Sequence, residues 1–278
     1  MANIGETATL SVLRETGAGL ILDGGELGEV LLPKSERLDS QSEQAEVFLY
    51  RDSDDRPIAT QKQPYVRPGC FGVLKVASIN NTGAFLDWGL SKDLLLPYRE
   101  QNHLPEKGKK VVVYVGVDLK SNRLVASQRI SKHLSHQSPP YREGDKVKAI
   151  IYGKTEMGYK AIVDNQYSGL LFKNQVFEKL FYGDELETYI SQVRPDHKLD
   201  LSLYAPGRAK VTNLEERILH ELEMRGGFWA LHDKSTPEEI HQELGISKKV
   251  FKQATGSLFK QRKIIFEENG IRQTDAVS

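Results

Sequence analysis

Lys248, Lys249, Lys252, Lys260, Arg262 and Lys263 fall within positions 247–263, and no Asp or Glu lies among them. Cations grouped in this way neutralise phosphates, and affinity for nucleic acid rests heavily on that neutralisation. A solvated helix face is the plainer reading of the same run. Further back, aromatic rings stand near cations. Phe85 and Trp88 lie close to Lys75, Lys92 and Arg123, and Tyr159, Tyr167 and Phe172 accompany Lys154, Lys160 and Lys173. Single-stranded nucleic acid needs flat rings for stacking and nearby cations for its phosphates. Small barrels also fill their interiors with such rings, so core packing competes for each one. Phe85 and Trp88 are three apart and would face opposite sides of a straight strand, which makes one of them a core candidate. Arg123 and Arg194 sit in charged turns, where a solvated arginine is equally ordinary.

Catalytic patterns are scarce. The chain has no Gly-rich phosphate loop ending in Gly-Lys-Ser/Thr and no pair of histidines four apart with a Glu after the first. Seven histidines are scattered, and His133 with His136 has no carboxylate cluster beside it. Asp52, Asp54 and Asp55 could hold Mg²⁺ in a nuclease, but a solvated hairpin turn is the better reading. The one cysteine, Cys70, forbids a disulfide framework or a multi-cysteine zinc site within the chain. A non-catalytic protein without cofactor or metal is the expectation.

The chain has 278 residues, 39% hydrophobic, with 38 cationic and 38 anionic side chains. This zero hides a strong asymmetry. Residues 1–64 carry 6 positive and 12 negative side chains, and residues 65–140 carry 11 and 5. Residues 141–210 hold 11 and 10, and residues 211–278 hold 10 and 11. The first segment is a poor partner for phosphates and the second the best. No apolar run is long enough to cross a membrane, and the start of the chain lacks the pattern of a signal peptide. The expected compartment is the cytoplasm.

What could position these residues is a repeat. Thr16 to Glu36, Asn81 to Glu100 and Glu156 to Gln175 read alike. Each has a glycine (Gly17, Gly83, Gly158), a short apolar strand, a turn and an apolar triplet: Val30–Leu32, Leu94–Leu96, Leu170–Phe172. A β-branched run follows (Ala45–Tyr50, Lys110–Val117, Glu187–Val193), then a charged turn through residues 51–56, 118–123 or 194–198. A last short strand closes each unit at Ile58–Thr60, Leu124–Ser127 or Leu199–Leu203. Counted from the nearby residues, Phe85 has Gly19 and Lys160 as counterparts. Five short strands closing on themselves describe an OB-type barrel. Turn-rich boundaries at residues 63–69 and 135–140, and at Ala205-Pro206-Gly207, divide the chain into barrels at 1–64, 65–140 and 141–210, with a last domain at 211–278.

That last domain changes period. Residues 212–222 space apolar side chains by three and four, with Thr212 and Glu215 as a capping box. Gly226-Gly227 stops this helix. Thr236 caps a second helix with Pro237 at its first position, and Leu244-Gly245 ends it. Ser247 caps a third, with Val250, Phe251, Ala254, Leu258 and Phe259 inward. Residues 264–271 read as a hairpin with an Asn-Gly turn. The class is mainly β with a C-terminal α+β domain: tandem OB-type barrels followed by a winged helix.

Gly83–Leu86, with the later charged turn and Arg123, resembles the RNA-binding barrel repeated in the largest protein of the bacterial small ribosomal subunit. Three such barrels followed by a winged helix, with GYKAIVDNQYSGLLF in the third, resemble the bacterial conserved virulence factor B family over almost the whole chain. The resemblance implies a cytoplasmic RNA-binding regulator without cofactor. The resulting expectation is a post-transcriptional regulator that binds RNA, single-stranded above all, through the second and third barrels and the winged helix. The acidic first barrel would pack on the others or meet a protein partner. Two rivals stay open: a transcription regulator binding DNA through the winged helix, and a protein-binding accessory factor of translation or RNA decay.

Overall fold

The computed structural model describes residues 2–37, 43–118, 121–173, 176, 180–203, 205, 212–244 and 246–274. The readings at Leu119-Lys120, Gln175, Pro206-Gly207 and Gly245, and the cap at Thr212, lie outside the residues and side chains described.

Three closed five-stranded barrels share one topology. The first is built from β1 (Thr7–Glu15), β2 (Gly19–Asp23), β3 (Glu29–Pro33), β4 (Gln44–Arg51) and β5 (Pro57–Thr60). The second uses β6 (Phe71–Asn80), β7 (Gly83–Asp87), β8 (Leu94–Pro97), β9 (Lys110–Asp118) and β10 (Arg123–Ser127). The third uses β11 (Lys146–Lys154), β12 (Gly158–Val163), β13 (Tyr167–Phe172), β14 (Glu185–Val193) and β15 (Leu199–Ser202). In each, the first strand pairs with the second and fourth, and the third runs parallel to the fifth. Each long first strand breaks register once, after Val12, Val76 and Ile151. A bulge there lets one strand bend and serve two neighbours of a small barrel.

The glycine that opens the second strand is fixed by contact. A Cβ on Gly19, Gly83 or Gly158 would lie 2.1, 2.3 or 2.0 Å from the carbonyl oxygen of Leu32, Leu96 or Leu171. The equivalent glycine of the first barrel is therefore Gly19, not Gly17, which has open space around it. Phe85 then corresponds to Ile21, not to Gly19.

Alternate side chains fill each barrel: Leu22, Val30, Leu32, Val47 and Leu49 in the first, Leu74, Val76, Leu86, Leu96 and Val113 in the second, Ile151, Val163, Leu171, Ile190 and Leu201 in the third. The fourth strands depart from this alternation where barrels meet. On β4, Val47 and Leu49 join the first core while Phe48 and Tyr50 join the second barrel's core cluster. On β9, Val112 and Tyr114 join Phe71, Ile130, Leu134 and Ile162 in a separate cluster between the second and third barrels. The Tyr182 hydroxyl accepts the Val112 N–H at 3.1 Å across that seam.

The last domain packs α1 (Thr212–Met224), α2 (Pro237–Leu244) and α3 (Lys248–Lys260) over a sheet ordered β16 (Phe228–Trp229), β18 (Gly270–Gln273), β17 (Ile264–Glu267). Thr236 and Glu239 form a reciprocal cap on α2: the Thr236 N–H donates to the Glu239 carboxylate at 2.7 Å, and the Glu239 N–H to the Thr236 hydroxyl at 3.2 Å. Ser247 holds the cap position of α3 with no side-chain hydrogen bond to the helix. The hairpin turn centres on Glu268 and Asn269, one residue earlier than an Asn-Gly turn, because Glu267 pairs with Gly270. Gly270 instead makes room for β16, since a Cβ there would lie 2.3 Å from the Trp229 carbonyl oxygen.

Candidate nucleic-acid interface

Cross-strand register defines one outward row on each barrel, drawn from its second, third and fifth strands. In the first barrel it is Ile21, Leu31 and Ile58. In the second it is Phe85, Leu95 and Val125. In the third it is Lys160, Leu170 and Asp200. The first two rows are apolar and half-buried, whereas the third carries charge.

On the second barrel, Phe85 lines a cleft of about 200 Å³ shared with Tyr50 and Arg51 of the first barrel and with Lys92, Asp93 and Arg123. Burial pushes the Asp93 carboxyl up, helped by Asp87. Trp88 does not line it as a stacking surface. It is 2% exposed, packs edge-on against Phe48 with centroids 5.9 Å apart, and donates its indole N–H to the Lys92 carbonyl at 2.6 Å. Its three-residue offset from Phe85 turns it inward, and the neighbouring barrel closes over it. Both Arg123 and Lys92 are also committed to the first barrel. Arg123 forms a two-point ion pair with Asp55, and the Lys92 ammonium donates to the carbonyls of Asp52 at 2.5 Å and Arg51 at 3.2 Å. Burial holds the Lys92 ammonium below its ordinary value, and the Arg123 charge adds to this. Lys75 is exposed and has no ion-pair partner among the described residues.

On the third barrel Lys160 is the exposed member of the row, Leu170 is half-buried and Asp200 is buried. Phe172 lies two residues beyond Leu170 on the same side of β13, with the Arg194 guanidinium 5.6 Å from its ring centroid. Arg194 pairs with Asp200 of its own barrel at 2.6 Å. Lys160 and Lys173 are exposed, and neither has an ion-pair partner among the described residues. Tyr159 takes the inward parity of its partner Leu171 and packs against the third core, with the Lys154 ammonium 5.5 Å from its ring centroid. Tyr167 is a core residue: it is 6% exposed and meets Tyr141 edge-on at 5.7 Å, so its ring faces are unavailable for stacking.

On the winged helix, Lys249, Lys252 and Lys260 are exposed along α3, and Arg262 and Lys263 are exposed beyond it. Lys248 is half-buried. Lys252 approaches Asp233 at 3.9 Å, and the other five have no ion-pair partner among the described residues. Phe259 is not inward. Eight residues on from Phe251, at about 100° each, it stands about 80° off the buried face. It is 50% exposed and meets Phe266, 39% exposed, with centroids 5.4 Å apart. Neither ring stood out as a surface residue in the sequence. The signal was the helical angle of Phe259 and the second position of a two-sided hairpin strand. Among the described residues, no group of three His, Cys, Asp or Glu side chains could hold a metal ion, and no helix is long and apolar enough to cross a membrane.

Family comparisons agree with this layout. Residues 216–272 match a CvfB-like winged helix domain and residues 4–62 match an S1 domain. The S1 match therefore falls on the acidic barrel. The uncharacterized protein YitL of Bacillus subtilis is 28% identical over 277 residues, covering 96% of this chain and 92% of that protein. Conserved virulence factor B of Staphylococcus haemolyticus is 25% identical over 285 residues, covering 98% and 94%. A solved multidomain protein with nucleic acid binding domains from Streptococcus pneumoniae is 25% identical and covers 98% of this chain and 99% of its own, with a TM-score of 0.44. The S1 and winged-helix domains are of nucleic-acid-binding types, and the chain is similar to conserved virulence factor B over nearly its whole length.

Proposed function

We propose that the chain is a non-catalytic, cytoplasmic RNA-binding protein that regulates after transcription. It acts as four domains divided near residues 64, 140 and 210, and needs neither cofactor nor metal. The third barrel and the winged helix form the main part of its binding surface, and the second barrel contributes through Phe85 and Lys75. Phe172, Lys160 and Lys173 act on the third barrel, and Lys249, Lys260 and Lys263 on the winged helix. The observation that carries this reading is the exposed Phe259–Phe266 pair beside cations without acid partners. Duplex phosphates need the cations alone. Exposed ring faces suit unpaired bases, which stack on aromatic side chains at about 1–3 kcal/mol each. The acidic first barrel serves as an internal partner for the second, and its far side is left for a protein.

A labelled single-stranded RNA of about 20 nucleotides, tested against matched single-stranded and duplex DNA at two salt concentrations, checks this. The expected result is tight RNA binding that weakens with salt. Preference for duplex DNA, lost when residues 211–278 are removed, would replace this reading with transcriptional regulation. No nucleic-acid binding at low salt, with a stable protein partner in a pull-down, would favour the accessory-factor reading.

A further inference from the structure

We propose that the acidic turn of the first barrel is an internal competitor for nucleic acid: it occupies the cations of the second barrel, and RNA engages that face by displacing it. This rests on the RNA-binding reading above.

The turn between β4 and β5 is built to present one carboxylate. Asp52 accepts the N–H groups of Asp54 at 2.9 Å and Arg56 at 3.0 Å. Arg56 in turn binds Asp52 at 2.7 Å and Asp54 at 2.8 Å. Two of the three acids are thereby satisfied inside the turn. Asp55, in a left-handed backbone conformation (φ 67°), gives both carboxylate oxygens to Arg123. A guanidinium meets a carboxylate and a phosphate with the same two-pronged geometry. The turn thus fills the position a backbone phosphate would take beside Phe85.

Lys92 adds a second argument. Its hydrogen-bond partners across the seam are two neutral carbonyls, and Asp52, Asp55 and Asp54 act on its charge only from beyond ion-pair distance, so it has no direct anionic partner among the described residues. A phosphate at the cleft would supply one. The ion pair itself is exchangeable, because Arg123 and Asp55 keep 40% and 49% of their side-chain surface exposed. Exposed pairs of this kind are weak and screened by salt. The apolar part of the seam does not need to open. Phe48 and Trp88 lie in the core cluster, whereas residues 52–55 form the tip of a hairpin.

The arrangement is particular to this pair of barrels. Of the first barrel's turn arginines, Arg56 pairs with acids of its own turn and Arg51 donates to the carbonyls of Asp55 and Asn122, and the third barrel's Arg194 pairs with Asp200 of its own barrel. Arg123 takes its carboxylate from a neighbour. The neighbour carries twice as many acids as bases, and the second barrel holds the opposite excess.

The test uses the full chain and the labelled RNA. Asp55→Asn keeps a residue that tolerates the left-handed conformation. It should bind RNA about 2- to 5-fold tighter at low salt, the fold-change that matches loss of one exposed ion pair. Its affinity should fall more steeply with salt, because freed cations then take up phosphates. In an Arg123→Gln background the gain should vanish. Glu26→Gln, which removes an exposed acid away from the seam, should show no gain. In the unsubstituted chain, the Arg123 side-chain N–H resonances should shift on adding RNA.

Unchanged or weaker binding by Asp55→Asn, an equal gain from Glu26→Gln, or unmoved Arg123 resonances in a chain that binds RNA would each overturn the proposal while leaving the RNA reading intact. A wild-type chain that binds no RNA would overturn both.

Discussion

The second and third barrels present corresponding rows of side chains on corresponding strands, yet one row is roofed by the first barrel and the other keeps an exposed lysine. Phe85, Leu95 and Val125 face a cleft whose far wall is Tyr50 and Arg51 of the first barrel. On the third barrel Lys160 is exposed, and Leu170 and Phe172 are half-buried. The turn arginines repeat the contrast, with Arg123 paired across the seam and Arg194 paired at home. Net charge alone ranks the second barrel first as a phosphate binder. The geometry qualifies that rank, because Arg123 and Lys92 must first give up their partners in the first barrel. The address of each ion pair matters more than the sum of charges.

The largest effect expected from disturbing this contrast is at the seam itself. Phe48→Ala removes a ring that is 2% exposed and wedged against Tyr50 and Trp88. It should cost about 3–5 kcal/mol of stability and uncouple unfolding of the first barrel from that of the second, as read by urea titration. Phe251→Ala, in the winged-helix core, should lower stability without that uncoupling. Next in size are the binding rings. Phe172→Ala should weaken single-stranded RNA binding by about 1–3 kcal/mol. Phe85→Ala should cost clearly less, and its cost should grow in an Asp55→Asn background. Equal costs in the wild-type chain would mean that the roof does not obstruct.

Gly256→Ala has the opposite sign. Gly256 lies in α3, and a Cβ there would meet nothing within 4 Å. Alanine should raise stability by about 1 kcal/mol, seen in a thermal melt. A simultaneous loss of RNA affinity would mean that the nucleic acid approaches the helix backbone at that point.

The smallest effects are with pH, and they separate the two seams. His133 stacks on Tyr114 with centroids 3.9 Å apart, and burial lowers its pKa. The unfolded chain then binds the proton more readily, so this contribution is complete above the ordinary histidine value of about 6.5 and is lost as pH falls below it. Glu36 works in a lower window. Burial opposes its charge, but hydrogen bonds from Ser91 of the second barrel, Thr60 and Lys62 outweigh that and hold its pKa down. Its contribution is present above the ordinary glutamate value and is lost as pH falls through the lowered one. On acid titration the Tyr114 environment should change before that of Trp88, followed by tyrosine resonances and by tryptophan fluorescence in a Trp229→Phe background. A reversed order would break the assignment of the two seams.

Much of the fold could be read from residues. The apolar triplets became β3, β8 and β13, and Thr236-Pro237 began α2 where it was expected. The glycine of the first unit was mistaken by two residues because Gly17 and Gly19 look alike in sequence. They differ only in whether a carbonyl oxygen crowds the missing Cβ, which is a tertiary fact. The seams were legible too, although in an indirect form. Val47-Phe48-Leu49-Tyr50 and Val111-Val112-Val113-Tyr114-Val115 lack the alternation of a half-exposed strand, and β4 and β9 are covered on both faces. On β14, burial alternates instead: Thr188 and Ile190 are buried, and Tyr189 and Ser191 are half-buried. The candidate site was less legible. Trp88 and Tyr167 had the right type and wrong depth, and the partner of Arg123 lies 68 positions away, beyond the reach of any local pattern.

The double burial of β4 also has a consequence in time. During synthesis the first barrel leaves the ribosome complete except for a cover over Phe48 and Tyr50. The residues that supply it extend to Ala126, roughly 65 positions beyond Thr60, where β5 ends. At about 5–20 residues per second that is an interval of roughly 3–13 seconds. Throughout it, a closed and otherwise finished barrel carries two bare aromatic rings, and a chain stalled before the second barrel is complete is a sticky one.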